Sequence, residues 1–134
     1  MISQATEARE PYLNIGKVSA PALRTLFRIA DAWKLSNKEV MVILGSPPRS
    51  TFYKWKQGEQ LILPHDVLER ISYIFGIYSA LQVLLPKPEA ADEWIKKPNS
   101  APLFGGRSAL DRMLSGQVAD LYVVRQYLDA QRGG

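Results

Sequence analysis

Apolar positions recur at helical spacing along nearly the whole chain. Between residues 20 and 35, Leu23, Leu26, Phe27, Ile29, Ala30 and Trp33 share one side of a 3.6-residue helix. Ser19 is placed to cap its start. Pro21 then falls in the first turn, where the missing N–H is harmless. Ser36-Asn37-Lys38-Glu39 has the spacing of a capping box, with the Ser36 hydroxyl and Glu39 carboxylate each serving a free backbone N–H. The helix it opens runs through Val40, Ile43 and Leu44 and stops at Gly45, which tolerates a left-handed backbone. Ser46-Pro47-Pro48 cannot extend that helix but can cap and start another, predicted over residues 49–57 and ended by Gly58.

The longest apolar run follows, over residues 64–84, with Asp66 as its expected cap and Glu69 three residues on. Val67, Leu68, Ile71, Ile74, Phe75, Tyr78, Leu81, Val83 and Leu84, with Leu85, make it apolar over a wide arc. An arc that wide belongs either at the centre of both halves of the protein or in a dimer contact. Gly76 permits a close helix approach, and Pro86 and Pro88 end the run. A short helix near residues 89–95 leads into a stiff loop, Lys96-Lys97-Pro98-Asn99-Ser100-Ala101-Pro102-Leu103-Phe104-Gly105-Gly106. Asn99 can bond its own backbone there, and Trp94, Leu103 and Phe104 serve as anchors. Ser108 caps a further helix that Gly116 ends, and the last helix is predicted over residues 118–131, with Leu121, Val124 and Leu128 on one face. The expected fold is all-α, with six or seven helices and no sheet.

A short helix, a glycine turn and a second short helix form a helix-turn-helix pattern. If Phe52 and Trp55 point inward, Ser50, Tyr53, Lys54 and Gln57 face outward, flanked by Arg49 and Lys56. Cations beside hydroxyl, amide and aromatic groups are the chemistry that seeks phosphates and base edges in a major groove. The ordinary alternative is an amphipathic helix pair inside a bundle.

Charge sharpens this picture. Residues 1–60 carry nine Lys/Arg against five Asp/Glu, whereas residues 61–134 carry eight of each. A basic front and a neutral back suggest two tasks, nucleic acid for the first and protein contact for the second. The chain of 134 residues has no cysteine, which rules out disulfides and thiolate metal sites and suits a reducing cytoplasm. No stretch is expected to span a membrane, and the first eleven residues lack the apolar core of a signal peptide. Nothing resembles an active site: the lone His65 sits at a helix start, carboxylates are scattered, and no phosphate-binding glycine loop or metal cluster is visible. The reading is of a non-enzyme without cofactor or metal.

Four blocks carry a family resemblance: Leu35-Ser36-Asn37-Lys38-Glu39-Val40 leading to Leu44-Gly45; Ser50-Thr51-Phe52-Tyr53-Lys54-Trp55-Lys56; Leu68-Glu69-Arg70-Ile71; and Trp94-Ile95-Lys96-Lys97-Pro98-Asn99 with Phe104-Gly105-Gly106 and Leu114-Ser115-Gly116. Together they span about residues 23–128, and they resemble the Xre/MbcA/ParS antitoxins that pair with RES-domain toxins. Gly106-Arg107-Ser108-Ala109 departs from the family in lacking a proline that is often found there. The resemblance implies a cytoplasmic homodimer within a larger toxin–antitoxin complex. It would bind its own operator and block the active-site cleft of an NAD-consuming RES toxin with its C-terminal part.

On that basis the chain divides into a leader (residues 1–18), a helix-turn-helix region (19–62), a connecting or dimerisation helix (63–88) and a toxin-binding domain (89–134). DNA contact is expected from Arg49, Ser50, Tyr53, Lys54, Lys56 and Gln57. Toxin contact is expected from Trp94, Pro98, Asn99, Phe104, Gly105, Arg125, Arg132, Gly133 and Gly134, the last three forming a small tail that ends in a carboxylate. Plainer roles stand beside these: Trp33 and Trp55 as core, Trp94 as a packing anchor, Pro98 and Asn99 as turn formers, Lys96 and Lys97 as solvated charges. The competing function is a stand-alone helix-turn-helix repressor with no toxin partner.

Overall fold

The computed structural model describes residues 15–58 and 62–133, with backbone alone for 15–18. Among the described residues there are seven α-helices, one short 3₁₀ turn and no strand; a lone antiparallel bridge pairs Pro98 with Ser108. The helices are α1 (Ile15–Ala32), α2 (Asn37–Ile43), α3 (Arg49–Lys56), α4 (His65–Leu84), α5 (Pro88–Glu93), α6 (Ala109–Met113) and α7 (Val118–Gln131), with the 3₁₀ turn at Trp94–Lys96.

Local chemistry sets most helix ends where the sequence places them. The Ser36 capping box is reciprocal: Glu39 N donates to Ser36 Oγ at 3.1 Å and Ser36 N donates to Glu39 Oε1 at 2.8 Å. Gly45 adopts φ +93°, and the N–H groups of Gly45 and Ser46 close back onto Val42 and Met41. Ser108 caps α6 by accepting from Asp111 N, and α7 spans the predicted residues.

Three expected caps are corrected. Helix α1 begins at Ile15, so Ser19 lies inside it, and Pro21 sits past the first turn, where it removes a backbone hydrogen bond. The buried Ser19 hydroxyl instead accepts from Leu63 N at 3.3 Å, a tertiary contact that carries the buried face of α1 beyond the predicted start. Ser46 takes φ +56° in the turn, and Pro48, extended at ψ 144°, stands at the cap of α3. Asp66 lies in the first turn of α4 behind Pro64, which occupies the cap position. In the last two cases the proline's fixed φ and extended ψ end the incoming segment two positions from the expected cap.

Helix α4 is the axis of the molecule and packs against α1, α5 and α7. Val67, Ile71, Ile74, Ile77, Ala80 and Leu81 are buried within one core that also takes in Leu26, Trp33, Phe52, Ile95, Met113 and Leu121. The wide apolar arc is therefore used mostly inside the protein; of it, Val83 stands out as exposed, at 63%. By length and composition α4 is long and apolar enough to cross a membrane, contrary to expectation, yet its apolar face is the one packed against its neighbours.

Gly76 leaves room for the Arg125 side chain where α7 crosses α4. A Cβ there would overlap Arg125 Nε and lie 2.7 Å from its Cδ and Cζ. Gly76→Ala gains roughly 1 kcal/mol of helix propensity and pushes aside the flexible, partly exposed Arg125 side chain, at the cost of its surface contacts with Ser72 and Asp129, about 0.2–1 kcal/mol. The expected net effect is small, with Gly76→Ala clearly stabilising when Arg125→Ala is added. Thermal unfolding of the four proteins in this cycle checks it; a loss of more than about 2 kcal/mol from Gly76→Ala alone would show that Arg125 cannot move aside.

Candidate functional sites

Helix α3 is held by its inner face. Phe52 and Trp55 are buried, and the Phe52 ring meets Phe27 of α1 edge-on at 5.9 Å. That fixes which side faces outward. Arg49, Ser50, Lys54, Lys56 and Gln57 are exposed, and Tyr53 is half-buried. Tyr53 packs edge-on against Phe52 at 5.4 Å, and the Arg49 guanidinium lies 5.6 Å from the Tyr53 ring centre. Lys56 Nζ donates to the Asn37 side chain, which ties the end of α3 to the start of α2. The six predicted residues thus come together on one short helix and its C-cap, Gln57, four of them fully presented, Tyr53 as a side wall and Lys56 engaged with α2.

The second surface is a closed loop seated on aromatic rings. Trp94, Phe104 and Tyr127 form a three-ring cluster, with centroids 5.9 Å apart for Trp94–Phe104, 5.2 Å for Phe104–Tyr127 and 6.4 Å for the stacked Trp94–Tyr127 pair. Asn99 organises the loop. Its side-chain carbonyl accepts from Ala101 N at 2.9 Å, its backbone N–H donates to Arg107 O at 3.0 Å, and its backbone carbonyl accepts from Gly106 N at 2.9 Å. Gly105 and Gly106 take φ +59° and +88°, so the chain turns back without a proline at this point. Arg112 locks the loop to α7, donating to Leu103 O at 2.8 Å and pairing with Asp120 at 2.9 Å.

The predicted contact residues divide by accessibility. Pro98 and Gly105 are exposed at the loop rim, Trp94 and Asn99 are half-buried, and Phe104 is buried at 5% exposure, so Phe104 supports the rim from beneath. Arg125 lies on the opposite side of α7 from Tyr127, against Gly76; it donates to Ser72 O at 3.5 Å and faces Asp129 at 3.6 Å. There it borders a shallow groove of about 480 Å³, together with Tyr73, Tyr122, Gln126 and Asp129. The Tyr73 hydroxyl donates to Glu69, a bond that holds its pKa above the usual tyrosine value, with desolvation and the Glu69 charge acting in the same direction. Arg132 and Gly133 are exposed past the end of α7, and Gly134 lies outside the described residues.

Sequence reasoning missed Arg70, Arg112, Asp120 and Tyr127. Tyr127 carried a signal in its spacing from Leu121 and Val124, which places it at the edge of the buried face. Arg112 and Asp120 have none, because their pairing depends on how the α6–α7 turn folds.

A helix-turn-helix sharing one core with a ring-seated loop and a final helix defines a DNA-binding protein with a second, protein-contacting region. Residues 18–76 match the family model of the antitoxin Xre-like helix-turn-helix domain, and residues 80–134 match that of the antitoxin Xre/MbcA/ParS C-terminal toxin-binding domain. The chain belongs to the Xre-type antitoxins, the DNA-binding antidote components of toxin–antitoxin systems. It is also 54% identical over 112 residues, 84% of each chain, to the uncharacterized protein y4oB of Sinorhizobium fredii (strain NBRC 101917 / NGR234).

Proposed function

We propose that this antitoxin neutralises a RES-domain, NAD-consuming toxin by obstructing its active site, and that it binds its own operator as a homodimer in the cytoplasm. The match of residues 80–134 to a toxin-binding domain carries the reading. In this mechanism α3 enters the major groove with Arg49, Ser50, Tyr53, Lys54 and Gln57, while Lys56 braces the helix pair beside the phosphates. The loop rim at Pro98, Asn99 and Gly105, anchored by Trp94 and Phe104, meets the toxin surface. Arg125 holds α7 against α4, and residues 132–134 reach the toxin cleft. A single helix-turn-helix reads a short half-site, so a two-fold dimer supplies the useful affinity.

The test is co-expression with the product of the neighbouring reading frame, followed by purification and mass measurement. The expected product is one complex containing two copies of this chain. Separate elution of the two proteins would favour a repressor without a toxin.

A further inference from the structure

Helix α2 ends in a way that leaves two carbonyls without their ordinary partners. In a helix the carbonyl of residue i takes the N–H of residue i+4. For Ile43 and Leu44 those residues are Pro47 and Pro48, which have none. The Val40, Met41 and Val42 carbonyls are served within the turn by Leu44, Ser46 and Gly45. Ile43 O is served from outside, by Arg70 of α4, whose Nη1 lies 3.3 Å away.

The same guanidinium reaches the other half of the molecule. Arg70 Nη2 donates to Gly116 O at 3.0 Å, in the left-handed turn (φ +87°) that leads into α7. Its Nε is buried and finds no hydrogen-bond partner among the described residues, so packing sets its position. Gly45 forms part of that packing: a Cβ there would stand 3.1 Å from Nε. One planar, rigid cation therefore bridges the last residue of α2, at the start of the turn into α3, and the backbone just before α7.

We infer that Arg70 is a positioning residue for DNA recognition: it sets the pose of α3 and ties that pose to the Gly116 turn. The inference rests on the reading that α3 contacts DNA. Charge alone does not meet the geometry. A lysine is a point donor on a flexible stem and can serve one carbonyl well, but not both in a fixed plane.

The experiment uses the full chain, a duplex of its own promoter and an unrelated duplex of equal length. Backbone hydrogen exchange is followed over residues 114–118, which form the α6–α7 turn and no part of the DNA-facing helix. In the wild type, excess promoter duplex is expected to slow exchange there. Arg70→Met should weaken promoter binding about tenfold, narrow the ratio of promoter to unrelated affinity and remove the remote protection. Arg70→Lys should keep the fold, shown by an unchanged far-ultraviolet spectrum, yet lose most of that protection. A purely structural buckle would lower the melting temperature of both variants and leave the affinity ratio intact, which overturns the proposal. Remote protection that persists in Arg70→Lys, or is missing from a wild type that binds the promoter, also overturns it. A wild type that does not bind the promoter overturns the DNA reading itself.

Discussion

Removing residues 132–134 is expected to abolish protection against the toxin while leaving the fold and promoter binding in place. The last buried residue of α7 is Leu128; Gln131, Arg132 and Gly133 are exposed. The deletion therefore takes away no core side chain, only the frayed turn in which Arg132 N and Gly133 N bond back to Leu128, Asp129 and Ala130. A longer deletion starting at Tyr127 would break the Trp94–Phe104–Tyr127 cluster and remove Leu128, so unfolding and removal of the toxin-facing end would give the same result. If the segment carries a cation and two small residues into the cleft, its loss removes an interfacial hot spot. That is worth about 2–4 kcal/mol, or roughly 30- to 1000-fold in toxin affinity. Toxin binding by calorimetry and growth on toxin induction both read this. Full protection by the shortened chain would place the blocking surface elsewhere, with the loop rim at Pro98 and Gly105 the next candidate.

Combining Arg49→Ala and Lys54→Ala is expected to weaken promoter binding about a hundredfold at physiological salt, roughly tenfold for each residue. The slope of log affinity against log salt should become shallower by about 2, about 1 for each phosphate that is no longer neutralised. Neither change touches the core, since both side chains are exposed and Phe52 and Trp55 keep α3 in place. Arg49 gives up its position over the Tyr53 ring, an exposed cation–π contact worth about 0.5–1 kcal/mol, too little to unfold the protein. Gel-shift titrations at three salt concentrations check both numbers. An unchanged slope would mean that α3 does not face the phosphate backbone.

Much of this architecture was legible in the sequence because local chemistry enforces it. The Ser36 box, the Gly45 turn, the inward pair Phe52 and Trp55, and the limits of α7 all follow from residues within one or two turns of each other. Two misses are local, since Pro48 and Pro64 take the cap positions expected for Ser46 and Asp66, and the others are long-range. Ser19 has the chemistry of a cap, and only the arrival of Leu63, 44 residues later, makes it a buried acceptor inside α1. The apolar arc of α4 fitted a core axis as well as a dimer face, and periodicity does not choose between them. Packing of α1, α5 and α7 fills it from within.

The candidate site was legible to a similar depth. Every predicted DNA-contact residue lies on one short helix or at its C-cap, because helical periodicity fixes their relation. The predicted toxin-contact residues scatter between a loop rim, a ring cluster beneath it, the Arg125 side of α7 and the exposed end. Their relation depends on the α6–α7 turn, which Arg112, Asp120 and Arg70 organise from outside it. Pro47 and Pro48 did announce that Ile43 and Leu44 would lack backbone donors, but which side chain answers is a tertiary fact.

The shared core also decides how the two activities are to be separated. Removing the helix-turn-helix would strip α1 from α4 and expose Ile74, which lines an apolar pocket with Leu26, Trp33, Val40 and Ile43, so point changes on exposed residues are the sound route. The most direct measurement is therefore growth and cellular NAD after induction of the neighbouring toxin, with the Arg49→Ala, Lys54→Ala chain supplied from an unrelated promoter. Continued growth and steady NAD are expected, because toxin capture does not use the α3 face. Growth arrest with falling NAD, from a variant that is folded and present at wild-type level, would contradict this division of labour.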